Sequence, residues 1–260
     1  MTPLDIAHAG MQAAPEDDAA RLRFYGRLAE DELFLLLETE VAGQAVTPRV
    51  FALEDGPVVL VFDREDRLSA FTGAPAPYAA LPGRVIAAQL AGQGIGIGIN
   101  LGIAPSSFLI PPGAVDWLAA TLGHAPAEVV AKPLSFHAPG GLPDRLIKAL
   151  DEKLARAGGL AMAALLAGVS YDGGRRSHML VFVGAAPGAE AALARAAAEA
   201  LTFSGVDAAE MDVTFLAPEA PALVPLARVA LRLDLPRPAA PVPVTPAAPG
   251  MDPDRPPRLK

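Results

Sequence analysis

The sequence predicts an α+β protein with two folded units and a proline-rich tail. Three observations carry this prediction. In the run from Gly94 to Ile99, glycine and isoleucine alternate with the period-two repeat of a strand. Short apolar runs at 33–37 and 58–62 read as buried strands and are flanked by helix-start and turn signals. From residue 128 to 216 the elements run strand, helix, strand, strand, helix, strand, the split βαβ order of ferredoxin-like units. With 260 residues, 52% of them hydrophobic, the chain can bury a sizeable core.

The first unit opens with Thr2 as N-cap, Pro3 at the first helical position and Asp5 in the first turn. A second helix starts at Pro15, where three acids suit the positive end of the helix dipole, and runs to about Ala29. Residues 32–38 read as a central strand. Residues 49–53 and 58–62 read as a hairpin about Asp55-Gly56. Asp63 is expected to cap a short helix to Phe71, and residues 72–81 read as a loop around Tyr78. A helix at 82–91 delivers the Gly/Ile strand. A turn at 104–107 and a helix at 111–122, which carries Trp117, complete the unit.

A stretch rich in proline and small residues, 123–141, predicts a boundary. The division expected is 1–123, 124–235 and 236–260. In the second unit, strands are expected at 128–132, 160–170, 177–183 and 211–216, with helices at 142–157 and 189–203. Residues 223–235 add a possible further strand. Nine of the last 25 residues are proline, so the tail is expected to be disordered or polyproline II.

Composition narrows the function classes. No apolar run reaches the ~18 residues of a membrane helix, and no basic, leucine-rich leader opens the chain. Without cysteine, disulfides, thiolate metal sites and a cysteine nucleophile are excluded. A cytoplasmic location is expected. Arginine outnumbers lysine 17 to 4, which fits a GC-rich genome. The net charge of −8 sits in residues 1–73, with 14 acids and 6 bases, whereas the remainder balances at 15 of each. That acidity speaks against nucleic-acid binding, which needs a basic footprint.

Motifs for catalysis are missing. His8, His124, His137 and His178 lie far apart in the sequence, and Pro126 interrupts the His124/Glu128 pair. No P-loop and no nucleophile elbow occurs, and Ser106 and Ser107 read as turn caps. Carboxylate groups flank helix and strand starts, where capping explains them. The glycine run is no dinucleotide fingerprint, because it follows a helix and Ile97 breaks the spacing. Gly94, Gly96 and Gly98 leave one strand face bare, so a helix, from 82–91 or 111–122, or a ligand is expected to lie flat on it. If an anion binds there, Arg49, Arg84 and Asn100 are the residues expected to hold it. No metal and no cofactor is expected.

Several motifs resemble the enhanced-serine-sensitivity (SseB) family: Leu4-Asp-Ile-Ala-His-Ala-Gly-Met11, Phe24-Tyr25, the 33–37 run, Val58 to Asp63 leading into Arg67-Leu-Ser-Ala-Phe71, and the Gly/Ile strand ending at Asn100. Leu101 stands where the family pattern commonly has proline. Residues 142–216 resemble the family's C-terminal domain more weakly. The resemblance implies a link to serine sensitivity and brings no catalytic residue. The function expected is a non-enzymatic protein-interaction or regulatory module with an unidentified protein partner. The alternative is a small-metabolite sensor that binds an amino acid near Gly94 to Asn100.

Overall fold

The computed structural model describes residues 1–40, 46–54, 56–124, 132–206 and 211–236. It is an α+β fold. The first unit begins with α1 (Pro3–Ala13) and α2 (Asp18–Glu30). Thr2 and Asp5 cap α1 reciprocally: the Asp5 amide donates to Thr2 Oγ1 at 3.2 Å, and the Thr2 amide donates to the Asp5 carboxylate at 2.9 Å. There follow β1 (Glu32–Leu36), β2 (Val50–Leu53), β3 (Gly56–Phe62), α3 (Glu65–Thr72), β4 (Tyr78–Pro82), α4 (Gly83–Leu90), β5 (Gly96–Ile99), β6 (Phe108–Ile110) and α5 (Pro112–Gly123). The sheet order is β4-β1-β3-β5-β6, with β2 also on β3. Among the described residues of this sheet, only β3 and β5 are parallel neighbours, with Val58 opposite Gly96 and Val61 opposite Ile99. A parallel pair needs a long crossover, which the α3-to-α4 segment provides.

Both faces of this sheet are covered. Val59, Val61, Ile97 and Ile99 pack with Leu28, Ile86 and Leu118 from the helices. Val58, Leu60 and Phe62 point the other way and pack with Leu68 of α3. Gly96 and Gly98 share that second face. A Cβ on Gly96 would stand 2.6 Å from the Ile110 carbonyl oxygen, and one on Gly98 would meet Leu101 and Leu60 at 2.6 and 2.7 Å. Thus leucine side chains and the β6 backbone, rather than a packed helix, fill the bare face. The closest helix atom near Gly96 is Pro112 Cδ, 3.5 Å from that Cβ position. Gly94 precedes the strand and turns the chain with φ 68°. Gly96→Val is therefore expected to lower stability by ~1–3 kcal/mol in urea unfolding, despite valine's strand propensity. An unchanged midpoint would refute the close approach.

The second unit comprises β7 (Pro133–His137), α6 (Asp144–Leu154), β8 (Ala163–Tyr171), β9 (Arg176–Val183), α7 (Glu190–Phe203), β10 (Met211–Leu216), α8 (Leu223–Ala227) and β11 (Leu231–Leu233). Its order is β10-β9-β8-β11, with β7 also on β8. The ferredoxin-like split arrangement is not formed. β9 and β10 are direct parallel neighbours, and β7 pairs antiparallel with β8. Element order alone does not fix strand order: the tight β8–β9 connection makes a hairpin, and the α7 crossover then adds β10 beside β9. Leu146, Leu150 and Leu154 of α6 and Leu193 of α7 bury Leu166, Leu180 and Phe182 of the sheet.

Other expectations shift. The strand expected at 128–132 lies at Pro133–His137, and residues 128–131 fall outside the described residues. The span 223–235 holds a short helix before its strand. The tail was expected at 236–260, of which all but Pro236 lies outside the described residues. Phe203, at the end of α7, belongs to the first unit's core. It packs on Gly26, where a Cβ would come within 2.8 Å of Phe203 Cβ, and its ring meets Trp117 edge-on at 6.5 Å.

Candidate functional site

The carboxyl ends of parallel strands are where α/β sheets most often place ligands. Here β3 ends at Phe62 and β5 at Ile99, which brings Asp63 and Asn100 together. Asn100 is fully buried and takes a left-handed φ of 47°, a conformation asparagine tolerates better than most residues. Its side-chain amide donates to Asp63 Oδ1 at 3.0 Å and to Ser106 Oγ at 2.8 Å. Its carbonyl oxygen accepts the Asp63 amide at 3.3 Å. Ser106, also fully buried, donates to Asp5 Oδ1 at 2.6 Å. Arg67 spans both acids, at 2.9 and 2.6 Å to Asp5 and 2.8 Å to Asp63. Thr2 Oγ1 closes the cluster onto Asp63 at 2.5 Å.

Electrostatics follow from this wiring. The Arg67 guanidinium holds the Asp5 carboxyl well below the usual carboxylate range; burial opposes the shift, and Ser106 and Thr2 add to it. Asp5 in turn raises the Arg67 pKa further. His8, one turn along α1, is buried between the rings of Phe24 and Phe108. Burial pushes its imidazole pKa down. The donors and acceptors of the cluster are thus spent on one another. They pin the start of α1 across the strand ends.

The residues expected from the sequence land in separate surroundings. Asn100 enters the buried cluster. Gly96 and Gly98 face Leu60, Leu101 and Ile110. Leu101 thus helps close the glycine face at Gly98. Arg49 lies over the Phe51 ring at 5.1 Å. Arg84 reaches into the second unit and grips Glu199 of α7 with two bonds, 3.0 and 2.9 Å. Sequence reasoning missed Asp5, Arg67 and Ser106 as one group. Ser106 is no turn cap, although Ser107 is, accepting the Gly102 amide at 3.1 Å. Asp63 does not cap α3, which begins after Arg64 without a side-chain cap.

A second polar feature joins the units. Lys153 of α6 pairs with Glu30 of α2 and with Glu199, the latter at 2.6 Å. Arg156 adds a bond to Glu30 at 2.8 Å. Burial alone would raise the Glu199 carboxyl; Arg84 and Lys153 overcome it and hold the pKa below its ordinary value. Beside this network lies a cleft of about 600 Å³. Its walls are α1 and α2 on one side and α6 and the end of α7 on the other.

The molecule is thus a two-sheet α+β protein held by an ion-paired seam, with a saturated polar cluster at its parallel strand ends. Residues 8–117 match the family model described as SseB protein N-terminal domain. The match takes in Asp63, Arg67, Asn100 and Ser106, whereas Thr2 and Asp5 precede it and the second sheet follows it. Comparison with curated proteins and with solved structures gave no match. Among the described residues, no helix is long and apolar enough to cross a membrane.

Proposed function

We propose that the protein is a non-enzymatic interaction or regulatory module linked to serine sensitivity. The observation that supports this reading most is the saturation of the strand-end cluster. Asp5, Asp63, Arg67 and Ser106 are groups that could bind a substrate or assist proton transfer, yet Asp5 and Ser106 are buried, Asp63 and Arg67 are partly buried, and all are committed to one another. A reacting group would have to break those bonds before touching a substrate. The alternative is an amino-acid sensor at Gly94 to Asn100: Leu60 and Leu101 crowd Gly98 and the Ile110 carbonyl crowds Gly96, which disfavours it, whereas the space beside Gly94 is open. The test is affinity purification at endogenous expression from the native cell. A partner protein near stoichiometric amounts, retained by Ser106→Ala, is expected. A turnover by the purified protein that Ser106→Ala abolishes, with folding intact, would overturn the module reading.

A further inference from the structure

We infer that the cleft between the two units binds a small multivalent organic anion, a ligand class beyond the interaction role proposed above. The protein carries a net charge of −8, yet six of the cleft's charged side chains are cations and only Glu30 and Glu152 are acids. The cations come from both units. Arg23 and Arg27 line it from α2, and Arg145, Lys148, Lys153 and Arg156 from α6 and the turn after it.

Half of these cations have structural work. Lys153 and Arg156 bind Glu30, and Arg27 binds Asp31 at 3.0 Å. The other half do not. Arg145 pairs with no acid among the described residues. Lys148 reaches Glu152 only at 3.9 Å, and Arg23 reaches Asp17 at 3.5 Å, both in exposed pairs that add little to stability. Three weakly committed cations facing one concave space repel one another. A multivalent anion relieves that repulsion, and a cleft with a surplus of positive charge focuses its field on such a ligand.

Size and lining define the ligand further. About 600 Å³ lies in the range of small-molecule sites, which favour domain interfaces. Between the cations lie Ile6, Ala149, Ala200 and Phe203, so part of the wall is apolar. Such a wall suits an organic skeleton that carries two or three carboxylates or phosphates. Arginine on both walls suits either oxyanion, since its fork matches carboxylate and phosphate alike. A bound anion joins α2 to α6 and thus ties the units at a second point beside the Lys153 seam.

Isothermal titration calorimetry on the full chain, with citrate and with pyrophosphate at ionic strength matched by sodium chloride, tests the inference. Saturable binding at one site per chain is expected. Citrate alone would assign a polycarboxylate, pyrophosphate alone a phosphate ester, and both the shared chemistry. The Arg145→Ser/Lys148→Ser double variant should weaken binding about tenfold or more, as expected for lost charge-assisted bonds. Both side chains are exposed, so its melting temperature should stay unchanged. Arg23→Ser, on the opposite wall, should weaken binding in the same direction and carries the test if the double variant misfolds. Neither probe binding saturably, or binding indifferent to both variants, would overturn the inference.

Discussion

Arg67→Ala is expected to destabilise the protein by ~3–5 kcal/mol, the typical cost of removing one partner of a buried ion pair. The Asp5 side chain is 0% exposed and Asp63 only 3%, and both rely on the same guanidinium. Alanine leaves two buried carboxylates with hydroxyl and amide donors alone. Arg67→Lys should recover part of the loss, since it keeps the charge but not the fork that reaches both acids. Urea unfolding followed by circular dichroism gives the measurement. A loss below ~1 kcal/mol would show that the cluster behaves as a surface pair. The acid limb offers a second readout. The folded pKa of Asp5 lies below its unfolded value of ~3.9. Its contribution is therefore full above that value and is lost as pH falls through it toward the folded pKa. In Arg67→Ala the drop in stability below about pH 4 should be shallower than in the parent chain.

Lys153→Met is expected to cost ~3 kcal/mol, at the lower end of the range for a broken buried pair. Methionine keeps most of the packing volume and removes the charge. Lys153 is 11% exposed and stands between Glu30 at 15% and Glu199 at 6%. Arg156 still serves Glu30 and Arg84 still serves Glu199, which limits the damage. A double-mutant cycle with Glu199→Gln isolates the pair, and a coupling above ~0.5 kcal/mol is expected between such neighbours. Additive effects would mean that Lys153 and Glu199 do not act together. Because the seam joins the units, Lys153→Met should also separate the loss of Trp117 fluorescence from the loss of far-ultraviolet ellipticity during heating.

Local chemistry made the larger elements legible. The Thr2–Asp5 cap, the apolar 33–37 and 58–62 runs and the Gly/Ile alternation each became the element their pattern implies. β4 was hidden because Gly73, Pro75 and Pro77 punctuate its approach, and only pairing with β1 makes Tyr78–Pro82 a strand. β6 is three residues long between serines and prolines, too short to show a period. Strand order in the second sheet was not legible, because hairpin and crossover choices depend on long-range pairing. The strand-end cluster was half legible. Asn100 drew notice at the end of an unusual strand, whereas Asp5 and Asp63 carried ordinary capping readings. Their partner Arg67 lies 62 residues from Asp5, and Ser106 lies 101 away. No spacing rule connects such positions. Arg84 drew notice as a candidate anion ligand near the glycine run, whereas its bidentate grip on Glu199 spans 115 residues and had no local signal.

Phe203 in the first unit's core ties assembly to the order of synthesis. At ~5–20 residues per second, Asp5 waits on the order of 5–20 s before Ser106 exists, and a comparable interval passes before Phe203 is made. During that time Phe24, Tyr25 and Trp117 have no Phe203 to close over them. The nascent chain therefore presents an unfinished apolar surface until α7 is complete. Chaperone capture during translation should concentrate in that window, and chains released before residue 203 should be the ones that aggregate or are degraded.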